Sequence, residues 1–550
     1  MKESWEVGSQ SDCVGKGVDT GPPFHQSMVK RCRQDWEALM EIVGEHLAQA
    51  NRMSDQLREM VDFVQRSAEN HVAVHVVERE MWSGILKLGR QALELFFSCC
   101  GTGDVGTETT DSDGRTLRRL ANMHRRQYLS VFGLFELERY VYGTREGQRI
   151  EEVPFDAWVQ LPESRFSYLL QEWDQSLAVQ NAYAETDRTI DRILGLRQSV
   201  DSLERMNGKM AEGVEEFYSS QSVPPPAKEG ELVVASADGK GVSIRGTRTG
   251  TQKDGLYSSE DQKPGGKKMA VVGSVYTVAP YERSAEDVLQ ALFRDRSKDP
   301  PPQPDRRPKP QDKQVRASLL RDEADTTAPS MQDIFGWLGK EVQQRNPAGQ
   351  NDVVVLMDGQ ISLWDAAEKY IQGAVDGMKV VQILDLLHAA SYVWSAAHLF
   401  HPKQSMAALS FAKDRTARIL NGEVLGVVRG LRWKGTYAGF GKNKQKELEV
   451  ICRYLQNNAH RMRYDEYLAA GYPIASGVIE GACRYLVKDR MERTGMRWVL
   501  DGAQSMLSLR SVYLGGHWDE FTRFRIKKDR LRLYPNSLPE DADTDLRIAS

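Results

Sequence analysis

The chain has 550 residues, 27% of them charged and 40% hydrophobic, with a net charge of −4 at pH 7. That is the composition of ordinary globular protein; it excludes a uniformly basic nucleic-acid coat but not a local basic channel, because binding follows the charge near the phosphates. No run approaches the roughly eighteen apolar residues of a membrane span, and six cysteines without a Cys-x-x-Cys pair indicate neither a zinc ribbon nor a disulfide framework, so a reduced, cytoplasmic protein is expected.

Residues 1–28 are polar and Gly-rich, and disorder is expected there. From 29 to 100 apolar residues recur at three and four positions with charges between them and no proline, which predicts a helical hairpin or short coiled coil inside a 29–122 region. GTGDVGTETTDSDGR (101–115) reads as a loop. Residues 123–222 then read as a small β unit followed by helices. Aromatic and β-branched runs separated by glycine come first, and amphipathic stretches from about 164 to 218 come after. Arg192 and Arg197 lie among those helices, where a helix-turn-helix reading DNA and a helical hairpin with surface arginines are both open. VPPPAKEG (223–230) is a linker, since its prolines cannot continue a helix.

Residues 223–402 carry the chemistry. ELVVASADGKGVSIRG (231–246) predicts a buried strand ending at Asp238, with GVSIRG as a second strand and KKMAVVGSVYTVAPY (267–281) as a third. The Pro-rich, charged stretch 294–330 reads as a disordered surface insertion. After it, helix, strand (DVVVLMDG, 352–359), helix, strand (MKVVQILD, 378–385) and helix alternate. Strands without polar alternation, interleaved with helices, predict parallel strands covered on both faces. Residues 403–472 are a helical insertion, 473–535 a last helical block, and 536–550 a disordered tail.

An antiparallel strand trio followed by helix–strand–helix–strand–helix is the order of an RNase H-like α/β fold with a mixed sheet. In that order Asp238 ends the first strand and Asp358 the fourth, and these two strands are neighbours. Glu480, in PIASGVIEGACRYL, supplies a third carboxylate from a covering helix, where Gly477, Gly481 and Ala482 permit close approach. Each alone has a plain reading, an Asp-Gly turn twice and a surface glutamate once. Together they match what phosphodiester chemistry needs: oxygen ligands for two Mg²⁺ (or Mn²⁺) ions about 4 Å apart. The spacings are even, with 120 residues from Asp238 to Asp358 and 122 from Asp358 to Glu480.

On these residues the chain resembles the DDE transposases of bacterial insertion sequences, most closely the ISKra-type family, over roughly 125–535. The motifs are ASADGKGVSIR, VVVLMDGQISLW, ILDLLHAASYVW and YPIASGVIEGACRYLVKDRMERTGMRW. The resemblance implies an RNase H-like core, binding of double-stranded DNA at terminal inverted repeats and in the target, and metal-dependent cleavage and strand transfer. It also implies a homodimer or higher oligomer at work in the bacterial cytoplasm, on the nucleoid. Asp385-Leu-Leu-His388 is similar to an Asp-x-x-His motif of related transposases, so Asp385 rivals Asp358 as second metal ligand and His388 is a possible auxiliary. Arg484, Lys488, Arg490, Arg493 and Arg497 are candidates to follow a phosphate backbone. Lys240 is a candidate phosphate contact, and Trp498 either stacks on an unpaired base or sits in the core. A nuclease of the same fold that does not join ends, and a domesticated DNA-binding protein without catalysis, are the alternatives.

Overall fold

The computed structural model describes residues 24–111, 113–145, 147, 149–221, 230–245, 266–294, 307–319, 330–375, 377–493 and 495–535. The expected disordered terminus up to residue 23, most of the linker and the tail 536–550 lie outside these. The chain divides into two compact units, one running to Ser167 and including the segment from Tyr534, the other Tyr168–Leu533. The boundary near 222 expected from sequence is therefore not where the chain divides: the helices after Ser167 group with the sheet that follows them.

In the first unit α1 (Phe24–Glu69) and α2 (Val74–Cys100) form a helical hairpin, and α1 begins inside the stretch expected to be disordered. The loop expected over 101–115 contains a strand. β1 (Glu108–Thr110) pairs with β2 (Thr116–Arg119), which pairs with β5 (Tyr142–Gly143). β3 (His124–Ser130) and β4 (Gly133–Arg139) make a separate antiparallel ribbon, and α3 (Pro154–Trp158) follows. Phe97, Phe135, Leu137 and Phe155 form the core beneath them.

The second unit opens with α4 (Tyr168–Ala178), α5 (Tyr183–Leu194), α6 (Val200–Ala211) and α7 (Val214–Ser220). Its centre is a five-stranded mixed sheet made of β6 (Leu232–Ser243), β7 (Lys267–Val278), β8 (Gln311–Leu319), β9 (Asp352–Met357) and β10 (Val380–Leu384), in the order β10-β9-β6-β7-β8. β6, β7 and β8 are an antiparallel meander, while β9 and β10 run parallel to β6.

Two expectations fail here for physical reasons. GVSIRG is not a second strand: β6 runs unbroken from Leu232 to Ser243, because Gly239 and Gly241 stay extended by pairing with Val271 and Met269. The meander's third strand, β8, lies inside the stretch read as a surface insertion. Val315, Ala317 and Leu319 alternate there with polar residues and are buried, a period-two signal masked by the prolines and charges before it.

Helices cover both faces of the sheet. On one, Val233, Ala235, Val353 and Val355 pack against α9 (Ser330–Arg345) and α10 (Ile361–Tyr370). On the other, Leu232, Val234, Val354 and Leu356 pack against α8 (Ala285–Leu292), α11 (Leu386–Phe400) and the helices α12 (Met406–Leu420), α13 (Val424–Tyr437), α14 (Lys442–Asn457) and α15 (Tyr464–Ala469). Farther along the same face, Val242, Val272 and Ala317 form a second core. Its other wall is α16 (Gly477–Ala482), the π-turn Cys483–Lys488, α17 (Asp489–Met491), α18 (Leu500–Leu514), α19 (Trp518–Leu533) and residues of α6 and α7. Among the described residues no helix is long and apolar enough to cross a membrane.

Candidate active site

Strand register brings the carboxylates together. Ala235 of β6 pairs with Val355 of β9, and Met357 of β9 with Leu384 of β10. Continued past the last paired residues, the same register sets Asp238, Asp358 and Asp385 in one row across three neighbouring parallel strands, which lie about 5 Å apart. Asp238 shares the parity of Leu232 and Val234, and Asp358 that of Val354 and Leu356, so both belong to the face covered by α11. Asp238 does not end its strand: β6 continues beside β7, but its pairing with β9 stops at Ala235, and the notch so made opens at Asp238.

Each carboxylate is held differently. Asp238 accepts from the Gly239 N–H at Oδ1 (2.7 Å) and from the Cys483 thiol at Oδ2 (3.3 Å). Asp358 accepts from the Gln360 N–H (2.9 Å), while its own carbonyl accepts from Trp364 Nε1 (2.7 Å), so it is also the turn residue that the plain reading expects. Burial raises the Asp358 pKa; the Gln360 N–H and His388 offset this, and Asp238 and Asp385 add to it. Glu480, exposed on α16, is raised by burial and then by Asp385 and Asp238, against the lowering effect of His388. Asp238, Asp385 and His388 are thus felt by both Asp358 and Glu480.

Asp385 is fully buried and caps α11, accepting from the N–H groups of Leu387 (2.6 Å) and His388 (3.2 Å). Its second oxygen accepts from the Ser476 N–H (2.7 Å) and from the Ser476 hydroxyl. Four donors occupy its two oxygens. Among the described residues no three His, Cys, Asp or Glu side chains stand close enough to hold one metal ion together. The carboxylates are near enough to shift one another's pKa.

The basic residues divide. Arg484 and Lys488 are exposed on the π-turn that follows α16, Arg484 lying 3.8 Å from Asp489. Arg497 and Arg192 are exposed, Arg197 pairs with Asp191 at 3.0 Å, and Arg493 with Glu185 at 3.3 Å. Lys240 lies 4.0 Å from Glu492, which Lys267 also approaches at 3.9 Å. Arg490 and Trp498 are not available to DNA. Arg490 is 0% exposed, donates to the Ala178 carbonyl at 2.8 Å and lies over the Trp498 ring. Burial lowers its pKa to about 10. Trp498 is buried, and its Nε1 donates to the Met491 carbonyl at 3.2 Å. Its backbone instead extends the edge of β6, through Ser243 and Arg245.

The two glycines beside Glu480 do not serve close approach: a Cβ at Gly477 would meet open space, and one at Gly481 only Tyr485 at 3.9 Å, whereas Ala482 is buried in the second core. The glycine that does is Gly359, beside Asp358, where a Cβ would lie 2.3 Å from the Tyr454 ring. Tyr454 stacks on Tyr392 at 3.7 Å, and burial, then Tyr392 and Asp358, push its phenol pKa up. Sequence reasoning gave no role to Cys483, Ser476, Tyr454 or Tyr392. Of these, Ser476 stands in the Ser-Gly-x-x-Glu motif and Cys483 follows Glu480 by one helical turn, so only these two carried a signal.

No family model matches the chain, and no curated protein matches it. Among solved structures it is similar to the Drosophila P element transposase strand transfer complex, with 12% identity over 69% of this chain and 88% of that one and a TM-score of 0.22.

Proposed function

We propose that this chain is a DNA transposase of the DDE type, an insertion-sequence enzyme on an RNase H-like core that binds terminal inverted repeats, cuts at them and joins the ends to target DNA. One observation carries the reading. Asp238 and Asp358 stand at matched places on neighbouring parallel strands, on the face covered by the helix of Glu480, and Asp238 acts electrostatically on both. The strand order β10-β9-β6-β7-β8, with its antiparallel meander and two parallel strands, supports the core assignment.

The donor set fits a hard divalent cation in type, since all three side chains offer carboxylate oxygens. Asp238, Asp358 and Glu480 would hold Mg²⁺ or Mn²⁺; Asp385 is the poorer candidate because its oxygens already accept four hydrogen bonds. Bound there, the ion supplies Lewis acidity at the scissile phosphate. The chain's own residues do the rest. His388 offsets the accumulated negative charge, and the exposed Arg484 and Lys488 offer phosphate contacts on the segment that follows Glu480. Arg192, Arg197 and Arg497 extend that set. In the first step water attacks phosphorus and the 3′-oxygen leaves as a hydroxyl. In the second that hydroxyl attacks a target phosphodiester and displaces another 3′-oxygen.

The test is Asp238→Asn and Glu480→Gln in the full chain, on duplexes carrying the element's ends. Both variants fold and bind the ends, and both lose cleavage and joining. Full cleavage by either folded variant sinks the assignment. Pre-cleaved ends separate the reactions: cleavage without joining means a hydrolytic nuclease of the same fold.

A further inference from the structure

Helix α1 carries two apolar seams where its hairpin uses one. Gln49, Met53, Gln56, Met60, Phe63 and Ser67 follow one another at alternating spacings of four and three, and all are partly or fully buried. This is the seam turned to α2, where Met60 meets Gly84. Leu47, Ala50, Ser54, Leu57, Val61 and Val64 follow the same heptad rhythm on another face. Their large members stay in water: Leu47 is 61% exposed, Leu57 52% and Val61 48%. No charged residue interrupts this second seam. Its one hydroxyl, on Ser54, is satisfied within the helix by donating to the Ala50 carbonyl at 3.1 Å. In the sequence the same spacing continues backwards through Val43, Met40 and Trp36.

Helix α2 adds to that face. Val74, Trp82, Ile85 and Phe96 are all exposed. At about 100° per residue the second seam lies roughly 110° round α1 from the first. The exposed residues of α2 lie roughly 100° round, in the same sense, from the side that faces α1. In an antiparallel hairpin, equal offsets in the same sense fall on the same side of the pair. The result is one largely apolar face spanning both helices, interrupted on α2 by the exposed Glu78 between Val74 and Trp82.

We infer that this face pairs with the same face of a second copy of the chain, closing a four-helix bundle. The rhythm argues for helices as the occupant, because a heptad seam is shaped to receive another seam. The area argues for a stable pair. Eight large side chains at about half exposure offer roughly 600–800 Å² per copy, near the ~800 Å² per partner of a standard interface. Self-pairing needs no second sequence, and an isologous contact closes by itself. The inference does not depend on the proposed chemistry.

The test is sedimentation equilibrium of the full chain at concentrations on the order of ten micromolar. The wild type sediments at twice its chain mass of 62.1 kDa. Leu57→Glu with Val61→Glu, exposed positions where glutamate keeps helix propensity, halves that mass with unchanged helical circular dichroism. Trp82→Glu with Ile85→Glu gives the same result from the other helix, while Asp62→Lys, outside both seams, leaves the dimer intact. A monomeric wild type overturns the inference, as does a folded variant of either seam that remains dimeric.

Discussion

Asp385 accepts hydrogen bonds from both the backbone N–H and the hydroxyl of Ser476, four residues before Glu480. With its other oxygen it caps α11. Helix α16 has only six residues and no side-chain cap of its own, so this buried carboxylate ties the Glu480 segment to the end of β10. Asp385 therefore acts as a positioning residue for Glu480.

A graded series tests that role. Asp385→Ala strips the acceptor from four donors, and Ser476→Ala removes only a hydroxyl while keeping its N–H. Given about 1 kcal/mol for a lost cap and 1–3 for each buried donor left unpaired, Asp385→Ala costs roughly 3 kcal/mol or more and Ser476→Ala about 1. Urea unfolding of both variants checks the order. No loss in Ser476→Ala would mean the clamp does not pass through the Ser476 hydroxyl.

Cys483 competes for the same carboxylate a cation would use. Its thiol donates to Asp238 Oδ2, and burial followed by the Asp238 charge pushes its pKa well up, keeping it a donor. Cys483→Ala frees that oxygen and tightens Mn²⁺ binding several-fold, whereas Cys483→Ser, a stronger donor, weakens it. Isothermal titration with Mn²⁺ gives the order Ala, Cys, Ser. A reversed order would mean the thiol orients Asp238 for the ion.

The strands β9 and β10 were legible because each is a short, mostly apolar run, broken in β10 only by Gln382, and the aspartates after them followed from that. The strand β8 was not, because the prolines before it fall inside any window used to read it and its own Asp312, Lys313 and Arg316 break up the apolar signal. The burial of Arg490 and Trp498 was equally hidden: an arginine on an apparently amphipathic stretch looks the same whether it meets DNA or the Ala178 carbonyl. The clamp on Glu480 and the thiol on Asp238 join residues 91 and 245 positions apart. Contacts of that range are properties of the fold rather than of any segment.

Asp174 makes stability depend on pH. It is 0% exposed on α4, and Gln198 Nε2 donates to both its oxygens at 2.8 and 2.7 Å. Burial raises its pKa to about 7, with the Gln198 hydrogen bond opposing and Asp187 adding. The folded state therefore holds this proton more tightly than the unfolded one. The stability it brings is complete below about pH 4 and is lost as pH rises to about 7. Asp174→Asn keeps a neutral side chain at every pH, and the Gln198 amide, whose Oε1 has no partner among the described residues, can turn to accept from it. Urea midpoints at pH 5 and 8 check this: the variant gains on the wild type by on the order of 2–4 kcal/mol at pH 8 and less at pH 5. An equal difference at both would remove Asp174 as the titrating group.

Gly359 is needed for space. Its φ is not in the left-handed region, but an added Cβ would lie 2.3 Å from Tyr454 Cε2 and 2.6 Å from the phenol oxygen. Tyr454 cannot easily retreat, because Tyr392 stacks on it at 3.7 Å with the rings 9° from parallel. The backbone must yield instead, and the residue before it is Asp358. Gly359→Ala thus costs about 1–3 kcal/mol, the usual range for overpacking, and moves Asp358 out of the carboxylate row. Tyr454→Leu opens the space, so the double variant Gly359→Ala with Tyr454→Leu is more stable than the two single losses added together predict. The mutant cycle reads the coupling directly. If the losses simply add, the tyrosine is not what confines Asp358.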